Sequence, residues 1–187
     1  WLQMNESLAK CSLKRMREPK FLLRGLALAD QDIQEHSVVD REEPDTKYSA
    51  PKITYEKLTT YWGDKLDPKN KDIPLEKKVT PFAFSDDLVK ASQWLHAFSN
   101  ESTIDEKPLD ELYFARYLNS VQHYPMLLAG RGIKDLSVLT HLTKQVHVRT
   151  AFYLLSEERT QDFESLVPVW TALIAKAGPK ASKSDLD

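Results

Sequence analysis

Glycine is the first shortage: 5 of the 187 residues, where the usual share is roughly 7%. Few positions can then supply the φ > 0 backbone that tight hairpins and glycine-rich cofactor loops need, which disfavours all-β and dinucleotide-binding folds. Cysteine is nearly absent. Cys11 stands alone, so an internal disulfide and a cysteine-rich zinc module are excluded, and the chain suits the cytoplasm or another reducing compartment. No run approaches about 18 apolar residues, so no segment is expected to cross a bilayer as a helix. Nor does one charge dominate: 26 Lys and Arg face 28 Asp and Glu, a net charge of −2. That removes the whole-domain basic footprint of a dedicated nucleic-acid binder.

What is present is an ordinary globular composition, 41% apolar with 10 Pro. The length suits a single helical domain over 1–179, with a subdomain boundary near 67–81 and a flexible tail at 180–187. The chain opens Trp1-Leu2-Gln3 rather than with Met. A processed form or a piece of a longer polypeptide is expected, so the lack of a targeting signal says little about the parent. Asn5-Glu6-Ser7 and Asn100-Glu101-Ser102 fit the glycosylation pattern, which is short enough to arise by chance.

The apolar spacing predicts an all-α fold, an irregular helical bundle of about six or seven helices. A first helix carrying Leu2, Leu8, Cys11 and Met16 is expected to end near Arg17, because Pro19 pushes Glu18 out of the α region. Pro19 then opens a second helix with Phe21, Leu22, Leu26 and Leu28 on its apolar side, and the polar stretch from His36 to Pro51 reads as an exposed loop. Thr54 caps a helix running through Leu66, and the Pro- and charge-rich stretch from Asp67 to Pro74 reads as a linker. Ser85-Asp86-Asp87 supplies a cap and two carboxylates for a helix with Leu88, Ala91, Trp94, Leu95 and Phe98 at spacings of three and four. Pro108 is expected to open the next helix and Pro125 to end it. Leu136 to about Glu158 suits a long helix, with a minor strand at 146–154 as the alternative because Val146, Val148 and Thr150 are β-branched. A last helix is expected from about Ser165 to Ala177, with Pro168 in its first turn.

Charge alternates along the chain. Residues 1–24 hold six basic and two acidic side chains, whereas residues 25–60 hold four basic and eight acidic. Lys10, Lys14, Arg15, Arg17, Lys20 and Arg24 form a basic N-terminal patch suited to nucleic-acid phosphate or an anionic membrane, and the solvated reading pairs it with the acidic segment that follows. A second candidate is the Gly130-Arg131-Gly132 turn with Lys134. Its backbone N–H groups and two cations suit a phosphate, although it lacks the third Gly of the dinucleotide fingerprint and the Gly-Lys-Ser/Thr of a P-loop. A glycine-containing connection between helices also needs no ligand. Doubled aromatics at Tyr61-Trp62 and Tyr113-Phe114 cannot all face one side of a helix, so some are expected to cover a second helix or anchor a protein interface.

Catalytic and metal constellations are not found. His141 and His147 are six apart and cannot chelate as a helical pair, and His36, His96 and His123 are isolated. No Gly-x-Ser-x-Gly elbow exists. Lys10, Lys14 and Arg15 would activate the Cys11 thiol if close, but its place on the Leu8 stripe favours a buried structural role. These residues point to a protein-protein interaction or adaptor domain without catalysis or a cofactor, part of a larger assembly. Nucleic-acid or membrane binding through 1–24 is the alternative, and phosphate-ligand binding or an enzyme at Gly130–Lys134 a second one.

Overall fold

The computed structural model describes residues 1–30, 55–113, 120–156 and 160–187. Among these are seven α-helices and no strand: α1 (Leu2–Ala9), α2 (Pro19–Ala29), α3 (Tyr55–Leu66), α4 (Pro81–Ser99), α5 (Tyr124–Ala129), α6 (Leu136–Leu155) and α7 (Thr160–Ala177). The expected all-α bundle is therefore what forms. The expected loop from His36 to Pro51, the cap at Thr54, and Phe114 lie outside the described residues.

Helix α5 sits at the centre, packed on both α2 and α7, while α1 and α2 lie against α4 and α6 against α5 and α7. One apolar cluster takes side chains from all seven helices, including Leu8, Leu22, Tyr61, Phe98, Leu128, Leu142 and Phe163. Gly25 lets α2 and α5 approach closely, since a Cβ there would stand 2.9 Å from Leu128 Cδ1. Lys65, buried on α3, ion-pairs with Asp30 at the end of α2 and lies over the Tyr61 ring.

Several boundaries differ from expectation for local reasons. The first helix stops at Ala9, and Lys14–Arg17 form a separate 3-10 turn anchored by buried Met16. Helix α4 begins at Pro81 rather than Ser85, because the Thr80 side chain accepts a hydrogen bond from the Ala83 N–H at 3.2 Å and Pro81 presets the first turn. Pro108 does not open a helix: it pairs with Ser102 in an isolated bridge, closing a loop in which Glu101 and Glu106 take positive φ. A 3-10 turn over Asp110–Leu112 follows. Pro125 opens α5 instead of ending a helix.

No strand forms over 146–154, which belongs to α6. Its threonine hydroxyls are satisfied within the helix, as Thr150 Oγ1 donates to the Val146 carbonyl at 2.7 Å. Helix α7 starts at Thr160, so Pro168 lies inside it rather than in its first turn. The segment expected as a tail at 180–187 packs against the bundle. Ser182 and Asp185 form a reciprocal capping box around the 3-10 turn Lys183–Asp185, and Ala181 and Leu186 are buried.

Candidate functional site

The three groups of site residues do not converge on one place. The Gly130–Gly132 turn is a 3-10 turn linking α5 to α6. Arg131 Nη1 donates to the Leu128 carbonyl at 3.0 Å, and Nη2 donates to both Asp87 oxygens at 2.8 and 2.9 Å. Gly130 is buried, its N–H is held by carbonyls at the end of α5, and a Cβ on it would lie 2.2 Å from Leu142 Cδ2. The Ile133 N–H bonds to the Gly130 carbonyl. The Gly130 and Ile133 N–H groups and the Arg131 guanidinium are thus engaged within the chain, while Gly132 and Lys134 are exposed. The glycine and the arginine here have packing and bridging roles.

The basic residues of the N-terminal segment are exposed but do not share one helix face, because α1 ends before them. Lys10 follows α1, Lys14, Arg15 and Arg17 lie on the 3-10 turn, and Lys20 and Arg24 lie on α2. Arg17 Nε donates to the Cys11 carbonyl at 3.0 Å, and Lys20 pairs with Glu18 at 2.8 Å. Arg24 edges a small cavity with Phe21, Leu28 and Pro125. Cys11 itself is buried, and desolvation pushes its thiol up to about 11 despite the hydroxyl of Ser99 and the charge of Arg17. It is a structural cysteine rather than an activated one.

Of the doubled aromatics, Tyr61 and Trp62 are core residues. Their rings meet edge to face, and Trp62 packs on Phe84 of α4. Tyr113 is exposed. The apolar surface lies elsewhere, most of all on α6, where Val148, Phe152 and Leu155 are 55%, 64% and 75% exposed. Spacings of four and three place them on one side of the helix, while Leu139, Leu142 and Val146 face the core. Phe82 near the start of α4 is a further exposed aromatic.

Two features went unread in the sequence. His141, Gln145 and Arg149 on α6 all bond to Asp187, and spacing by four was the signal that could have grouped them. His123 is fully buried, its ring tilted against Tyr124 at 4.3 Å between centroids, with no hydrogen-bond partner on either ring nitrogen. Burial, with the His147 ring nearby, pushes its pKa down to about 3. An isolated histidine in sequence gives no sign of this.

Among the described residues no helix is long and apolar enough to cross a membrane, and no three His, Cys, Asp or Glu side chains gather as a metal site would require. The chain matches no protein-family model, no curated protein and no solved structure at a significant level.

Proposed function

We propose that the chain is a non-catalytic protein-interaction domain, one part of a larger assembly, whose contact surface centres on the α6 face bearing Val148, Phe152 and Leu155. The carrying observation is the exposure of these three large apolar side chains in one row. Covering what each still exposes would contribute on the order of 1–2 kcal/mol before the costs of association, and an aromatic at the centre of such a row can anchor the contact. The internal bonds of Arg131 and the scattered placement of the N-terminal cations support this reading over the other two.

The experiment is affinity capture from native lysate at low and high salt, with the wild-type chain and the Phe152→Ser variant as baits. A stoichiometric protein partner that survives high salt and is lost with Phe152→Ser is expected. Nucleic acid or lipid as the sole retained material, released at high salt, would replace this reading with binding through Lys14, Arg15 and Arg17. Saturable turnover of a substrate by the isolated chain would overturn it outright.

A further inference from the structure

Helix α6 carries three hydrogen-bond donors at intervals of four, His141, Gln145 and Arg149, and all three end on one residue. His141 Nε2 and Gln145 Nε2 reach Asp187 Oδ1 at 2.7 and 3.1 Å, and Arg149 Nη2 donates to the Asp187 main-chain oxygen at 2.6 Å. The residue before it, Leu186, is buried in the apolar cluster. The Ser182–Asp185 capping box sets this geometry, with the Ser182 N–H on Asp185 Oδ2 at 2.7 Å. A carboxylate and a backbone oxygen are thus read together, next to an apolar seat.

A cleft of about 360 Å³ lies between α6 and α7, with Leu142, Val146, Trp170 and Ile174 among its apolar walls and Leu186 and Asp187 forming another side. Its size falls within the range of roughly 300–1,000 Å³ typical of ligand sites. Arg149 stands over the Trp170 ring, 5.5 Å from its centroid, so the donor row and the apolar walls meet at one residue.

We propose that this α6–α7 cleft is a peptide-binding groove for a segment in which a bulky apolar residue is followed by a carboxylate, and that Leu186-Asp187, which forms one wall of the cleft, takes the donor row in cis as a displaceable occupant. The inference rests on the interaction reading above and names a partner chemistry for it. The chain's own segment shows what the donor row accepts: an aliphatic side chain seated in the apolar cluster followed by an acid, while the Asp185 carboxylate stays on Ser182. Displacement is feasible because the Asp187 side chain is 59% exposed, and ion pairs in such surroundings are weak and screened by salt. A competing segment with a larger apolar group would also fill cleft volume that Leu186 leaves open.

The test titrates a fluorescein-labelled peptide of sequence SKSDLD, and its SKSDFD counterpart, into the full chain and follows anisotropy. The Leu186→Ala/Asp187→Ala variant, checked for helicity and cooperative melting, is expected to bind SKSDLD at least tenfold more tightly than the wild type. SKSDFD should bind more tightly still. Adding Arg149→Ala should remove most of that gain, and high salt should weaken it. Asp187→Ala alone leaves Leu186 in the core and is expected to raise affinity about threefold, which keeps the test open if the double variant melts too readily.

A folded double variant that binds neither peptide at millimolar concentration would overturn the proposal. Equal binding by wild type and variants would do so too, by placing the peptide on another surface. A wild-type dimer dissolved by Asp187→Ala would overturn the cis arrangement and give the groove to a second copy. The titration needs no captured partner and the Phe152 capture needs no emptied groove, so the two readings fail separately.

Discussion

Arg131 and Asp87, 44 residues apart in sequence, are joined by one guanidinium nitrogen that reaches both carboxylate oxygens. The contact ties the turn between α5 and α6 to the second turn of α4. It also accounts for the cation of the glycine-flanked turn, which looks like ligand chemistry in the sequence.

The pair is partly solvated, so its worth is modest. A double-mutant cycle with Arg131→Ala and Asp87→Ala should give a coupling of about 1 kcal/mol in unfolding free energy. Inorganic phosphate at millimolar concentration should leave the wild-type melting temperature unchanged. A phosphate-dependent rise that Arg131→Ala abolishes would return the turn to ligand binding.

Gly130 and Gly132 should separate packing from ligand binding. An added Cβ at Gly130 meets Leu142 at 2.2 Å, with Ile133 and Ile174 closing off its retreat, whereas at Gly132 the nearest atom is Pro179 Cγ at 3.5 Å. Gly130→Ala should therefore cost about 1–3 kcal/mol by overpacking. Gly132→Ala should stay within about 0.5 kcal/mol. Chemical denaturation of both variants checks the contrast.

The elements legible in the sequence are those where spacing and a stop or start residue agree. Helix α2 reads cleanly because Pro19 sits at its first position and Phe21, Leu22, Leu26 and Leu28 follow. The body of α4 reads from Leu88, Ala91, Leu95 and Phe98, but its start does not. Thr80-Pro81 and Ser85-Asp86-Asp87 are rival caps, and inside the helix Asp87 pairs with Arg131 while Asp86 pairs with Lys90 one turn on. Pro125 reads equally as a stop or a start. Of the site, the glycine turn and the basic segment were visible as types of residue, while their partners were not. The exposed row on α6 was hidden because Val148, Phe152 and Leu155 resemble core residues until the neighbouring helices are in place.

His123 should set the acid side of the stability profile. Its folded pKa is depressed to about 3, against about 6.5 in an unfolded chain. Between those values the unfolded state binds the extra proton, so its contribution is full above about pH 6.5 and is lost as pH falls toward about 3. The loss should run at roughly 1.4 kcal/mol per pH unit within that window. His123→Leu should flatten the profile there relative to wild type, measured by urea unfolding at a series of pH values, and an unchanged profile would contradict the assignment.

Cys11 should behave as a core group. With its thiol pushed up to about 11 and buried, the native chain should resist a thiol reagent at pH 8 and react fully only when guanidinium unfolds it. Rapid labelling of the folded chain would show that the α1 end opens readily.

The central claim is that α6 presents its outer face to a protein. The most direct measurement is photo-crosslinking in native lysate, with a benzophenone amino acid replacing Phe152 in one chain and Lys14 in another. The account predicts a discrete protein adduct from position 152, insensitive to high salt, and none from position 14. Adducts from position 14 alone, or none from position 152 in a folded chain, would contradict it.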